Sequence, residues 1–336
     1  MNKVTIKDVA REAGVSISTV SNALNNSDLL LPATREHVLK VAERLNYTPD
    51  HNGQNLRSKK TRAIGLFVSA LRGSYYGVLA DTMHIECQKY GYELYIYIIN
   101  NCRSITDNIL GRRVDGAVIL YEDITDGTLA RLAKSGCPVV FLDREYEGAA
   151  ISSIVFDSFH VGEIAANYLI SLGHRDLMHV AGVPRNYDSV ERQRGFFRAI
   201  EAAPVPPHGE PIPPPRLIEG LFERGAAFRE MKRYLNEGNK PPDAIFASND
   251  LSAIGCIEAL RDAGIRVPED VSVIGCDDID ICELLRPPMT TVRTRFESQG
   301  VIAVELLMGM LKGGRRGLTQ KIESRLIIRD SCRVRP

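Results

Sequence analysis

Two short apolar-faced stretches separated by a single glycine constrain this chain most. Thr5, followed three residues later by Asp8, has the spacing of a capping box that opens a helix. Val9, Ala10 and Ala13 then share one face, and Gly14 supplies the residue that takes φ > 0 and stops it. Ser16 suits the N-cap of a second helix, Ile17 to Leu24, with Val20, Ala23 and Leu24 inward. A third helix starts at Pro32 and carries Val38, Val41, Ala42 and Leu45 at i, i+3, i+4, i+7. Two short helices joined by a glycine turn and backed by a third predict a helix-turn-helix unit. A plain three-helix bundle is the alternative, and the outward face of the second helix argues against it. Ile17, Ser18, Ser21 and Asn22 are short or amide side chains able to approach base edges in a major groove. Ser16, Thr19 and Thr34, with the helix N-termini, suit phosphates.

The run Thr5-Ile6-Lys7-Asp8-Val9-Ala10-Arg11-Glu12-Ala13-Gly14-Val15-Ser16-Ile17-Ser18-Thr19-Val20-Ser21 resembles the head of the lac repressor (LacI/GalR) family of bacterial regulators. Thr34-Arg35-Glu36 and Leu45-Asn46-Tyr47-x-Pro49 extend the likeness, which continues to the C-terminus. The resemblance implies a DNA-contact set of Thr5, Ser16, Ile17, Ser18, Thr19, Ser21, Asn22 and Thr34. It also implies a hinge helix in which Leu56 wedges a base step from the minor groove, flanked by Asn55 and Arg57. Read without it, residues 50–60 are a polar linker. Three positions depart from the family pattern. Asn22 stands where Arg is common, so an operator with an unusual half-site is expected. Leu30-Leu31-Pro32 replaces the usual Ser cap of the third helix, and Gly53 weakens a hinge helix where Ala is usual.

From residue 62 onward apolar strands alternate with amphipathic helices. Strands are expected at 63–68, 93–99, 116–120, 139–142, 177–181, 244–247 and 271–275. Helices are expected near 76–89, 127–134, 159–172, 190–202, 225–235 and 251–263. This βα alternation predicts parallel sheets flanked by helices, and its length exceeds one compact sheet. The fold class expected is an N-terminal all-α helix-turn-helix head plus an α/β two-lobed, periplasmic-binding-protein-like core. The expected divisions are a head at 1–48, a hinge at 49–61 and an effector-binding, dimerising core at 62–336. Within the core, one lobe takes about 62–157 and 291–320, the other about 158–290 and 321–331, with crossings near 156–159, 287–291 and 320–324. The segment between Asn100 and Arg113 is shorter than the family's, so a trimmed helix is expected there.

No nucleophile–base pair, metal spacing or phosphate loop emerges, so no catalytic residue, cofactor or metal is expected. The histidines, among them His84, His160, His174 and His179, do not cluster. Polar residues follow the strands instead: Asp143 and Arg144, Asn249-Asp250, Asp277-Asp278. Singly, each is as well explained as a helix cap or turn acid. With Arg192 they match the family's effector-pocket positions. Tyr75, Tyr76 and Phe222 match its aromatic walls, although ordinary core packing would explain them too. The expected effector set is therefore Tyr75, Tyr76, Asp143, Arg192, Phe222, Asn249 and Asp277, with Asp250 capping the next helix. Carboxylates, an amide and a guanidinium around an aromatic face suit a hydroxyl-rich neutral ring, a sugar or sugar derivative first, because each buried hydroxyl needs a partner. A purine nucleobase, read by Asn186 and Asp188, is the second choice.

Net charge is zero, but the first sixty residues hold nine basic against six acidic side chains. Seven scattered cysteines and no leader or apolar span predict a reduced, cytoplasmic protein away from membranes. No leucine heptad follows Ser331, so a homodimeric transcription repressor on double-stranded palindromic operator DNA is expected, controlled allosterically by a small-molecule effector. A solute-binding protein and a sugar- or nucleotide-processing enzyme are the readings from other classes.

Overall fold

The computed structural model describes residues 4–24, 30–48, 60–142, 144–146, 148, 150–205 and 210–335. They form two compact units, Met1–Thr61 and Arg62–Pro336. The first contains α1 (Ile6–Ala13), α2 (Ile17–Leu24) and α3 (Pro32–Arg44). Asp8 Oδ2 accepts the Thr5 backbone N–H at 3.0 Å, which closes the start of α1. Gly14, at φ 67°, ends α1, and Ser16 Oγ accepts the Thr19 N–H at 3.1 Å to begin α2. Val9, Ala13, Val20, Ala23, Val38 and Val41 are buried together between the three helices. Of the two loop leucines, Leu30 packs onto this core and Leu31 stays exposed just ahead of Pro32.

The second unit holds two six-stranded sheets. The first is ordered β11-β5-β4-β3-β1-β2: β1 Ala63–Val68, β2 Glu93–Ile98, β3 Gly116–Leu120, β4 Val139–Phe141, β5 Ser152–Phe156 and β11 Thr319–Ile322. The second is ordered β12-β10-β9-β8-β6-β7: β6 Leu177–Ala181, β7 Arg216–Glu219, β8 Ala244–Ala247, β9 Ser272–Asp277, β10 Thr290–Arg293 and β12 Arg325–Ile327. All neighbours run parallel except β12, which closes the second sheet antiparallel to β10 with Leu326 opposite Val292. The helices are α4 (Ser74–Lys89), α5 (Cys102–Leu110), α6 (Asp126–Lys134), α7 (Ser158–Ser171), α8 (Tyr187–Glu201), α9 (Arg224–Asn236), α10 (Asp250–Asp262), α11 (Ile281–Leu284) and α12 (Phe296–Leu311). Among the described residues no helix is long and apolar enough to cross a membrane.

Two boundaries differ from expectation. Thr290–Arg293 pairs with β9 and belongs to the second sheet, so the return crossing falls at Thr294–Arg295 rather than at 287–291. The prolines at 287 and 288 punctuate the chain there, but buried Thr290, Thr291 and Val292 still complete the ladder. β11 then extends the first sheet to Ile322, so the first lobe runs past 320. The segment expected to carry a trimmed helix keeps nine residues of one, α5, capped by Asn101 through the Ser104 N–H at 3.0 Å.

Helices α7 and α8 cross with their backbones nearly touching. A Cβ on Gly195 would lie 1.9 Å from the Phe159 carbonyl oxygen, and one on Gly162 would lie 2.1 Å from that of Arg192. Only glycine fits at either place, and this crossing fixes the helix that carries Arg192. Overpacking against rigid backbone costs about 1–3 kcal/mol. Gly195→Ala is therefore expected to lower stability by about 2 kcal/mol or more, measured by chemical denaturation, and unchanged stability would contradict so tight a crossing.

Candidate functional sites

On the head, Ser16, Ile17 and Ser18 are exposed, while Thr19, Ser21, Asn22 and Thr34 are half-buried. Some of these hydroxyls already have work to do. Thr5 Oγ1 donates to Asp8 Oδ2 at 2.7 Å. Ser16 Oγ lies 2.7 Å from Ser18 Oγ and 2.8 Å from Thr19 Oγ1, besides accepting the Thr19 N–H. Thr5 and Ser16 thus set the helix starts, and backbone N–H groups at those starts are themselves phosphate donors. Asn55, Leu56 and Arg57 lie outside the described residues.

In the second unit, the carboxyl ends of both sheets face a cavity of about 170 Å³. Of the seven residues expected there, Tyr75, Tyr76, Arg192, Phe222, Asn249 and Asp277 line it. Asp143 lies outside the described residues. Arg192 reaches in from α8, buried, donating to the Ser248 carbonyl oxygen, with Asp277 Oδ1 at 3.5 Å. Burial pushes the Asp277 carboxyl above the usual carboxylate range against the pull of Arg192, and Asp250 adds to the rise. Asp277 also sits at φ 115° and Asp278 at φ 61°. Such strain persists where surrounding contacts over-determine the backbone. Here Asp278 is held by Arg293 Nε at 2.5 Å and by Arg329 at 2.8 Å.

The cap of α10 is Asn249, not Asp250. Asn249 Oδ1 accepts the Ser252 N–H at 2.9 Å and its Nδ2 donates to the Phe222 carbonyl at 3.0 Å. Asp250 is buried instead, accepting from Thr291 Oγ1 at 2.6 Å and the Ile279 N–H at 3.0 Å. It ties three segments together rather than ending one helix. Phe222, at φ 60°, lays its ring where any side chain at Gly182 would go, 2.2 Å from that Cβ position. Tyr75 donates its hydroxyl to buried Gln299 at 2.6 Å and meets Phe296 edge-on at 4.9 Å, so it offers the cavity a ring. Phe156, Phe296, Arg72 and Glu122 also line the cavity and were not anticipated as ligand residues. Asn186 and Asp188 line it as well. Among the described residues no group of three or more potential metal ligands gathers.

Residues 5–50 match the family described as bacterial regulatory proteins, lacI family, and residues 166–332 match the periplasmic binding protein-like domain. Over 335 residues the chain is 32% identical to the "Probable HTH-type transcriptional repressor ExuR" of Bacillus subtilis, covering 98% of each protein. The chain belongs to the lacI family of bacterial regulatory proteins. A second relative of this lacI-family chain is the HTH-type transcriptional repressor PurR of Histophilus somni, 32% identical, with 98% and 99% covered. The solved lac repressor dimer bound to operator and the anti-inducer ONPF is 26% identical, with a TM-score of 0.83 over 98% of this chain and 99% of that one. As a lacI-family member the protein is a DNA-binding transcriptional repressor with an effector-binding core, not an enzyme or a transport carrier.

Behind Arg192, buried His179 sits 3.1 Å from the Phe246 carbonyl oxygen and 3.2 Å from Ser248 Oγ, steadying the residue whose carbonyl receives the guanidinium. Burial pushes the imidazole down to about 3 from 6.5, so it stays neutral in the fold. An unfolded chain binds that proton more readily below pH 6.5, so folding stability is full above that pH and drains away toward pH 3. Denaturant titrations across this range should show His179→Gln with a shallower acid loss, by about one proton, than the natural protein. Equal slopes would mean that His179 takes its proton without unfolding.

Proposed function

We propose that this repressor works in the cytoplasm as a homodimer on a palindromic operator, and that a sugar or sugar derivative entering the cleft alters its grip on DNA. The head reads base edges with Ile17, Ser18, Ser21 and Asn22 and meets phosphates with Thr5, Ser16, Thr19 and Thr34, while in the hinge Leu56 wedges the minor groove beside Asn55 and Arg57 meets phosphates. Binding is salt-dependent through those phosphates. Pairing of two chains is supported by exposed apolar side chains that a lone molecule would not favour, Ile85 on α4 with Tyr95, Ile96 and Ile98 on the edge strand β2.

One observation carries the effector reading: Arg192, Asn249, Asp277 and the rings of Tyr75, Tyr76 and Phe222 converge on one cavity between two lobes. Polar groups of both signs beside aromatic faces recognise hydroxyls on a ring, and lobe closure around such a ligand is the natural response. Asp143, following β4, joins the set. A purine base is the second reading, favoured by Asn186 and Asp188 lining the same cavity beside aromatic rings.

Asp277→Ala is expected to leave operator binding within about twofold while abolishing the effector's influence on it. Fluorescence anisotropy on labelled operator, with sugars and purines added in turn, checks this. A response like that of the natural protein would place the effector elsewhere.

A further inference from the structure

The first sheet of the core has two unlike ends. Its strands run parallel and in register, Ala63 beside Glu93, Ile64 beside Gly116 and Ala117 beside Val139, so all start at one end and finish at the cleft. Parallel strands need crossovers, so α4, α5, α6 and α12 each lead the chain back to the starting end. Contacts gather the connecting turns there. The Arg62 N–H donates to Asp115 Oδ2 at 3.0 Å, and its carbonyl accepts from the Glu93 N–H at 2.9 Å. Arg316 donates to the Gly136 carbonyl at 2.9 Å, and Lys312 Nζ lies 5.5 Å from the centre of the Tyr90 ring.

Charge divides between the two ends. At the starting end, Arg62 and segments 89–93, 111–115, 134–138 and 312–318 hold eight basic side chains against two acids, Glu93 and Asp115. At the cleft end, segments 69–73, 99–101, 121–125 and 144–146, with Asp157 and Glu323, hold two basic against five acidic. The whole chain balances 42 against 42, so this excess is local. Helix ends explain part of it. Lys89 and Lys134 close α4 and α6, where a cation meets the negative end of a helix, and Lys89 also pairs with Glu86. The others lie past the helices. Arg112, Arg113, Lys312 and Arg315 are exposed on turns, and among the described residues no carboxylate pairs with any of them.

We propose that this basic end of the first lobe is a second DNA-binding surface, which holds phosphates of duplex DNA and adds sequence-independent affinity to that of the head. Clustered cations without carboxylate partners draw in a polyanion, and guanidinium groups match phosphate oxygens. The chain passes from its DNA-binding head into the core at this same end, through Arg62. An acidic protein would use the same charge but also needs apolar anchors. The longest of these turns, residues 312–317, reads Lys-Gly-Gly-Arg-Arg-Gly instead.

Fluorescence anisotropy of the full-length protein on a labelled random-sequence duplex, over a range of salt, tests this, because phosphate contacts ignore sequence. Replacing Arg112, Arg113 and Arg315 together by Gln is expected to weaken binding about tenfold at low salt. The slope of log Kd against log salt should fall by about two to three, since each phosphate contact contributes about 0.9. Lys at the same three positions should restore most of both. Arg315→Gln alone should lower the slope by about one, which keeps the test intact if the triple variant melts early. A control with Arg229, Lys232 and Lys240 replaced by Gln removes the same charge from the second lobe and should leave the slope unchanged. The proposal is overturned if the triple variant keeps the natural affinity and slope. It is equally overturned if the control loses as much, since net charge alone would then be responsible. Poly-glutamate that competes as well as unlabelled duplex, charge for charge, and loses that ability in the triple variant would give the surface to acidic proteins instead of DNA.

Discussion

A buried guanidinium organises the ligand cleft. Taking a charge out of water is costly unless it is paired and hydrogen-bonded, so the residues around Arg192 are arranged to receive it. Gly162 and Gly195 let α7 and α8 approach until no side chain fits between them, which sets the depth at which Arg192 enters. His179 holds Ser248, whose carbonyl accepts the guanidinium, and Asp277 supplies the opposite charge from a strained turn at the end of β9. Each of these would be a liability alone. Together they present a fixed, polar wall to the cavity.

The head solves a smaller problem with fewer parts. Its core is mostly valine and alanine, so helix ends matter more there than in the two-sheet unit. Thr5 and Ser16 set those ends and at the same time bring backbone N–H groups to the surface, the groups that meet phosphates in DNA-binding proteins of this design. On the proposed reading cap and contact are the same residues, because both tasks need a short side chain at a helix start.

Sequence pattern revealed the strands that are buried on both faces. Ala63–Val68, Gly116–Leu120 and Ala244–Ala247 are continuous apolar runs, Leu177–Ala181 is apolar but for His179, and their bounds match the expectation. Edge strand β2 was still legible, but short strands rich in polar residues gave no such signal. β7 begins and ends with Arg216 and Glu219, β11 is Thr-Gln-Lys before Ile322, and β5 opens on two buried serines. Helix α12 was missed for the opposite reason, since Phe296–Leu311 is apolar around much of its circumference and shows no clear stripe. In the cleft, polar residues after strands were legible through the family resemblance. Phe156 and Phe296 were not, because an aromatic on a cavity wall and one in a core look alike in sequence. The partition of Asn249 and Asp250 depended on which carbonyl and N–H groups lay nearby, and spacing alone does not encode that.

Replacing the cation tests the account most directly. Arg192→Met keeps the bulk of the side chain and removes the charge, and without that cation burial favours a protonated Asp277. Operator affinity should then be measured with and without a compound that raises the melting temperature of the natural protein. The account predicts a variant that still binds operator but no longer responds to that compound. A variant whose operator affinity shifts with the compound as the natural protein's does would contradict it.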